Sequence, residues 1–279
     1  MTDVEPVTGA QTYNQRYLNN NALAANQPQS AAATFLPLKF FFCKDWAAAL
    51  PLVALQYHDV ELRITWSGAL GSATSGNAIA GGATYAALQY TCWTNFVYLD
   101  QAEREFFAKS AHDMLITQVQ RVPISTQAVQ ELALAHPIKF LAFQSNNYSV
   151  AYGTNGAGSA AAANLQLKIQ INGVDVSESR HLPAYVDVNQ YYHTQYGYVH
   201  NSALANVAVI PYCLDTSKLQ PTGTLNFSRL DTYRMIVPVA LPNGLRGLAS
   251  PTVSTPYIYA VNYNVLRIQK GMGSVLYSS

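Results

Sequence analysis

The side chains best suited to chemistry in this 279-residue chain are six histidines, three cysteines and fifteen carboxylates. The histidines are His58, His112, His136, His181, His193 and His200. A zinc site needs ligands at a spacing such as HExxH, and no pair here provides it. His193 and His200 stand seven apart, and His112 is simply followed by Asp113. They read as surface or hydrogen-bonded core histidines. Cys43, Cys92 and Cys213 are odd in number and far apart, without a CxxC. They read as small buried hydrophobes of a reducing compartment. Asp100, Glu103 and Glu105 cluster on one short predicted helix, where capping and solvation explain them. Gly271 and Gly273 follow a predicted strand with no helix after it, so a phosphate cradle finds little support. GxSxG, P-loop and GxGxxG patterns are missing from the sequence. No catalytic, cofactor-binding or metal-ligating residue is assigned, no cofactor is expected, and the chain reads as a structural or binding protein rather than an enzyme.

Composition bears on the same question. Charged residues are 11% of the chain, against about 25% in ordinary soluble proteins. Hydrophobic residues are 49%, and there are 19 tyrosines. A subunit covered by neighbours can replace surface charge with Tyr, Asn, Gln, Ser and Thr. A β-rich protein with uncharged polar loops would have the same composition. Net charge is +1, with no basic tail or block of like charges, which argues against direct nucleic-acid binding. The first residues lack an apolar signal region, and no apolar run is long enough to span a membrane. Sequons at Asn147 and Asn226 are read as chance.

The elements that would position these residues are mostly strands. Residues 36–43 are an apolar aromatic run, and Pro51 discourages a long element after it. Residues 59–66 alternate, with Val60, Leu62, Ile64 and Trp66 on one face, as a half-buried strand does. Residues 89–99 form another aromatic strand. Asp100 caps a predicted helix over residues 100–109, with Glu103 completing a capping box. The domain boundary is placed here. Beyond it, eight strands are predicted, at residues 114–122, 128–135, 138–144, 165–171, 205–213, 222–229, 232–239 and 257–269. Asn172-Gly173 is the strongest turn signal. Residues 182–200 are Tyr-rich and ambiguous. Eight short strands with little helix predict an all-β sandwich, and eight is the jelly-roll number. About three strands precede Asp100, too few to close a second sandwich without open edges. The first domain therefore reads as partial, and Met1 as a possible internal methionine of a longer protein.

Four segments carry a family resemblance. They are LPLKFFFCKDWAAALPLVALQYHDVELRI from Leu36, FVYLDQAEREFFAKSAHDMLITQVQ from Phe96, LQPTGTLNFSRLDTYRM from Leu219 and IYAVNYNVLRIQKGMGSVLYSS from Ile258. In this order they resemble the major capsid proteins of nucleocytoplasmic large DNA viruses, such as phycodnaviruses, iridoviruses, marseilleviruses and mimiviruses. Pro51 would let the chain turn between sheets, Pro221 and Gly223 would turn it into the strand at Asn226, and Arg229 and Asp231 would pair at a strand end. Gly271 and Gly273 would let the backbone pass a neighbour closely. The stretch with which family members begin, the front of their first jelly roll, has no counterpart here. Either this is a fragment or its N-terminal portion is shorter by nature.

The resemblance implies a double jelly-roll β-sandwich: residues 1–109 as the C-terminal part of the first jelly roll plus the joint helix, and residues 110–279 as a complete second one. It implies a structural capsid protein of the virion, assembled in the host cytoplasm. Its homotrimers would be pseudo-hexagonal capsomers that tile an icosahedral shell. The implied partners are itself, neighbouring capsomers, minor capsid proteins and an underlying viral membrane. The rival readings are a minor or penton single jelly-roll capsid protein and a carbohydrate-binding sandwich with Tyr191, Tyr192 and Tyr196 as a platform. A β-sandwich hydrolase is a third, without a visible acid–base pair. Loops 147–164 and 241–255 are the candidates for an outward tower. Deleting their tips is expected to leave the trimer's elution volume unchanged; its loss would remove them from that role.

Overall fold

Strands predicted after residue 112 form and sort into two sheets, though 128–135 shortens to three residues and 222–229 to two, with a 3-10 turn at Phe227–Arg229 in place of the rest. In a computed structural model of the chain, the described residues are 38, 40–43, 45–64, 91–144, 166–182, 184–194, 207–237 and 256–277. The strands are β1 (His112–Pro123), β2 (Val129–Glu131), β3 (Pro137–Gln144), β4 (Gln166–Ile171), β5 (Val174–Asp175) and β6 (Arg180–His181). They continue with β7 (Val207–Pro211), β8 (Leu225–Asn226), β9 (Tyr233–Ile236), β10 (Tyr257–Gln269) and β11 (Met272–Val275). The first sheet runs β1-β10-β3-β7, with β11 on β10 and β8 on β3. The second runs β2-β9-β4-β5, with β6 on β4. Both are antiparallel. The chain crosses from one sheet to the other at six of the ten steps between successive strands, as in a jelly roll. The fold class is thus all-β, as expected.

The core lies between the sheets. Leu141 and Phe143 of β3, Ala208 and Ile210 of β7, and Ile258 and Ala260 of β10 meet Leu167 and Ile169 of β4 and Tyr233 and Met235 of β9. Lys168, Gln170 and Arg234, between those positions, lie on the opposite face, the period-2 consequence of the pleat. One irregularity serves the core directly. Val261 pairs with Phe140 while Asn262 pairs with Ile138, which leaves Lys139 as the extra residue of a β-bulge. Strict alternation would put Lys139 on the Leu141–Phe143 face; the bulge gives Ile138 to the core instead. Lys139 is buried all the same, and its ammonium donates to the Lys218 carbonyl at 2.8 Å.

Two tight hairpins have matching chemistry. Asn172 and Gly173 have φ of 49° and 80° between the paired Ile171 and Val174, as a type I′ turn requires. Lys270 and Gly271, at 54° and 79°, join β10 to β11 in the same way. The last strand predicted from the sequence ends at residue 269, so this second hairpin is a finding. The ambiguous stretch 182–200 is helical where described, with a π-type turn at Ala184–Val188 leading into Asn189–His193. Tyr185 from that turn is buried and donates its hydroxyl to the Leu167 carbonyl at 3.1 Å.

The chain divides into two compact units, residues 1–112 with 268–273, and residues 113–267 with 274–279. The first contains the helix Gln101–Lys109, which has the predicted capping box: Asp100 accepts at its start, and the Glu103 carboxylate accepts the Asp100 N–H at 3.2 Å. Its predicted strands differ. Phe41–Cys43 is a 3-10 turn, and residues 59–64 and 91–99 have no regular secondary structure, with Val60, Leu62 and Ile64 exposed. Alternation selects a face, but a strand exists only where a neighbouring backbone pairs with it. Neither segment has such a neighbour among the described residues. Residues 55–58 instead dock on the second hairpin. The Tyr57 N–H donates to the Gly271 carbonyl and the Gly273 N–H to His58 Nδ1, each at 3.0 Å. A Cβ on Gly271 would lie 2.6 Å from the Tyr57 ring, and one on Gly273 2.9 Å from Leu55, so the close passage expected of these glycines is present. Among the described residues, no helix is long and apolar enough to cross a membrane.

Leu141 is fully buried between the sheets. Leu141→Ala is expected to lower unfolding free energy by about 2–5 kcal/mol in urea titration. Val174→Ala, at an exposed hairpin position, should change it by about 0.5 kcal/mol or less.

Candidate assembly surface

The residues that could have done chemistry are used to hold the chain. His112 donates from Nε2 to the Phe107 carbonyl at 2.8 Å and stacks on the Phe107 ring. His136 is buried with φ of 69°, and its N–H donates to Ser228 Oγ at 2.9 Å. That hydroxyl belongs to the Asn226 sequon, whose amide oxygen accepts the Ser228 N–H at 3.1 Å. His193 donates from Nδ1 to the Cys213 carbonyl at 2.9 Å, and its own carbonyl accepts from Thr216. His181 meets the Gln166 amide at 3.3 Å. His200, Asn147, Tyr196 and the two proposed tower loops lie outside the described residues. Cys213 is buried, which pushes its thiol up, whereas Cys43 and Cys92 are exposed, contrary to expectation. Both precede or sit in segments whose predicted strand pairing is not seen. Arg229 and Asp231 form no ion pair among the described residues; the Asp231 N–H is instead taken by the Asn172 side chain at 3.0 Å. Among the described residues no three metal-capable side chains converge.

What the arrangement does build is a set of treated sheet edges. An edge strand leaves a row of backbone N–H and C=O groups open to any other strand. On β7, the last strand of the first sheet, the outward carbonyls are occupied: Asn189 Nδ2 donates to Val209 O at 2.7 Å and Gln190 Nε2 to Val207 O at 2.5 Å. Both amides come from the short helix Asn189–His193, which thereby caps the carbonyls of that edge. Gln120 presents its amide to the Ala135 peptide as a strand would, donating at 2.8 Å and accepting at 3.1 Å. Asn264 does the same for Tyr277, at 2.8 and 3.4 Å, and also receives support from Gln118. Gln130 ties Pro123 and Ser125 in the β1–β2 connection. Side-chain amides replace both missing ladder partners and missing charges.

The outer face of the second sheet carries a row of charged and amide side chains. Glu131, Arg234, Gln170 and Asp175 are consecutive partners across β2, β9, β4 and β5. Arg234 pairs with Glu131 and Lys168 with Asp175, both in water, where such pairs contribute little. The Lys168 hydrogen bond holds the Asp175 carboxyl below the usual carboxylate range. Asp113 is held down in the same way by the two-pronged Arg267 guanidinium, at 2.8 and 2.7 Å. Elsewhere the surface shows aromatic and aliphatic side chains: Trp93 and Tyr98 are 84% and 92% exposed, and Tyr191, Tyr192 and Leu214 between 66% and 75%. Tyr191 and Tyr192 meet edge to face at 5.1 Å, not side by side as a flat platform. Large apolar groups left in water at this density are the usual mark of an interface.

Besides Tyr185, three tyrosines lie inward. The Tyr212 and Tyr233 hydroxyls share a 2.5 Å hydrogen bond in the core, and burial pushes both well up. Burial pushes Tyr263 up to about 12, and its hydroxyl has no partner among the described residues.

Several known proteins are similar. Residues 103–274 match the family model of the large eukaryotic DNA virus major capsid protein, and residues 6–100 the model of the major capsid protein N-terminus. The major capsid protein of Paramecium bursaria Chlorella virus 1 is 32% identical, over 96% of this chain and 71% of its own length. That of Pyramimonas orientalis virus is 29% identical over 93% of this chain and 66% of its own. Among solved structures, a quasi-atomic model of the PBCV-1 virus capsid superposes with a TM-score of 0.59 at 28% identity, covering 88% of this chain and 70% of that one. The chain thus spans about two thirds to seven tenths of the length of these two relatives.

A folded state that holds phenol protons more tightly than the unfolded chain keeps full stability below about pH 10 and loses it as pH rises beyond. Tyr263→Phe removes one such proton and one unpaired buried hydroxyl. It is expected to leave stability at pH 7 unchanged or higher by about 1 kcal/mol, and to make the loss between pH 10 and 12 shallower in urea titrations at each pH. A destabilised variant at pH 7 would show that the hydroxyl has a partner.

Proposed function

The chain belongs to the major capsid protein family of large eukaryotic DNA viruses, a structural family of the virion with no enzymatic role and a double jelly-roll fold, and on that premise we propose that it assembles as homotrimers. Each trimer is a pseudo-hexagonal capsomer, and capsomers tile an icosahedral shell in the host cytoplasm. The two jelly-roll modules are residues 1–109 and 110–279. The observation that carries the reading is the surface itself. A chain with 11% charged residues leaves large aromatic side chains in water on both units, which an obligate assembly covers. The division into two compact units and the two family matches, one on either side of residues 100–103, support two modules and weigh against a single jelly-roll minor protein. Minor capsid proteins and an underlying membrane are its further partners. The edge-to-face geometry of Tyr191 and Tyr192 does not favour the carbohydrate-binding alternative.

Sedimentation or mass photometry of the purified chain is expected to give a particle of about 91 kDa, three times the 30.4 kDa chain, stable to dilution as obligate interfaces are. A monodisperse monomer that persists at high concentration would overturn the proposal.

A further inference from the structure

The two ends of the first sheet are treated differently. On the β7 edge, Asn189 and Gln190 cap the outward carbonyls of Val209 and Val207. The β1 edge is not: β1 is the end of the order β1-β10-β3-β7, and from His112 to Val122 its outward backbone has no hydrogen-bonded neighbour among the described residues. At twelve residues it is long for a strand left open. The backbone of another extended strand would pair with such an edge group by group.

We propose that β1 pairs antiparallel with β1 of a second copy of this chain, about a two-fold axis at Thr117. This proposal rests on the capsid reading for the presence of many copies. The side chains specify the partner and the register. With Thr117 opposite itself, Asp113 faces Arg121, and Leu115 faces Val119, in both halves of the contact. Opposite charges directly across a sheet stabilise it, and like charges oppose it. A slip by two residues in either direction separates both charge pairs. The residues are available. Asp113, Val119 and Arg121 are exposed and Leu115 and Thr117 partly so. Asp113 already holds Arg267, and Arg121 lies over the Tyr257 ring at 5.2 Å, so both charges are already oriented. A two-fold contact is isologous, and a trimer's contacts are heterologous. The β1 pairing therefore joins one trimer to the next and merges two first sheets into one.

The test introduces cysteine at the axis. In a Cys43→Ser, Cys92→Ser background, Thr117→Cys places two thiols opposite each other, within disulfide range in either type of antiparallel pair. Mild oxidation of concentrated or assembled protein is expected to give a covalent dimer on a non-reducing gel. Val119→Cys, whose two copies stand about 13 Å apart along the strands, should give about tenfold less. Thr117→Lys should leave the trimer mass unchanged and abolish association of trimers. The proposal is overturned if Thr117→Cys does not cross-link, if Val119→Cys cross-links equally, or if Thr117→Lys associates like the parent. Absence of a trimer in the parent speaks against the capsomer reading alone, because the axial cross-link is scored per chain.

Discussion

Each backbone N–H and C=O withdrawn from water needs a partner, and in a two-sheet sandwich that requirement concentrates at the sheet edges. This constraint organises the rest of the structure. Most β proteins meet it with lysines, bulges or closure. Here charge is scarce, and Asn and Gln amides take the work: Asn189 and Gln190 along β7, Gln120 against the Ala135 peptide, Asn264 against Tyr277. An amide matches a peptide in both donor and acceptor, so it ends a ladder without adding charge. The low charge and the abundance of amides and tyrosines are therefore one property, that of a surface to be buried against copies of itself.

The core sets where those edges stand. Leu141, Phe143, Leu167 and Met235 fix the two sheets face to face, and the bulge at Lys139 turns Ile138 inward. Nothing in this design requires a cleft. Histidines and carboxylates serve as caps and ties, as with His193 beneath the loop after β7 and Asp215 under Ser217. A rigid sandwich with specified edges is what a shell needs from its subunit, since its mechanism is geometric.

Much of the second unit was legible because period-2 alternation and burial on one side coincide in β1, β4 and β10. The Asn172-Gly173 turn and the Asp100–Glu103 capping box were legible because their chemistry is local. The bulge at Lys139 and the amide caps depend on what lies across the sheet, and no window of sequence contains that. The Lys270-Gly271 hairpin was missed because Lys rarely takes a positive φ. In the first unit, residues 59–64 and 91–99 have strand composition without a ladder partner among the described residues, so alternation alone misled. The candidate surface was foreseen in kind, from Tyr content and low charge, but not in place. The family was legible through four long segments in order, information that no single periodicity carries.

Hydrogen exchange read by mass spectrometry, on isolated trimers and on assembled particles, tests the edge account most directly. The β7 peptide covering residues 207–211 should be equally protected in both, because its ladder to β3 and the caps on its outward carbonyls lie within the chain. The β1 peptide covering residues 113–122 should gain protection on assembly. Protection of β7 that appears only in particles, or a β1 that exchanges identically in both states, would contradict it.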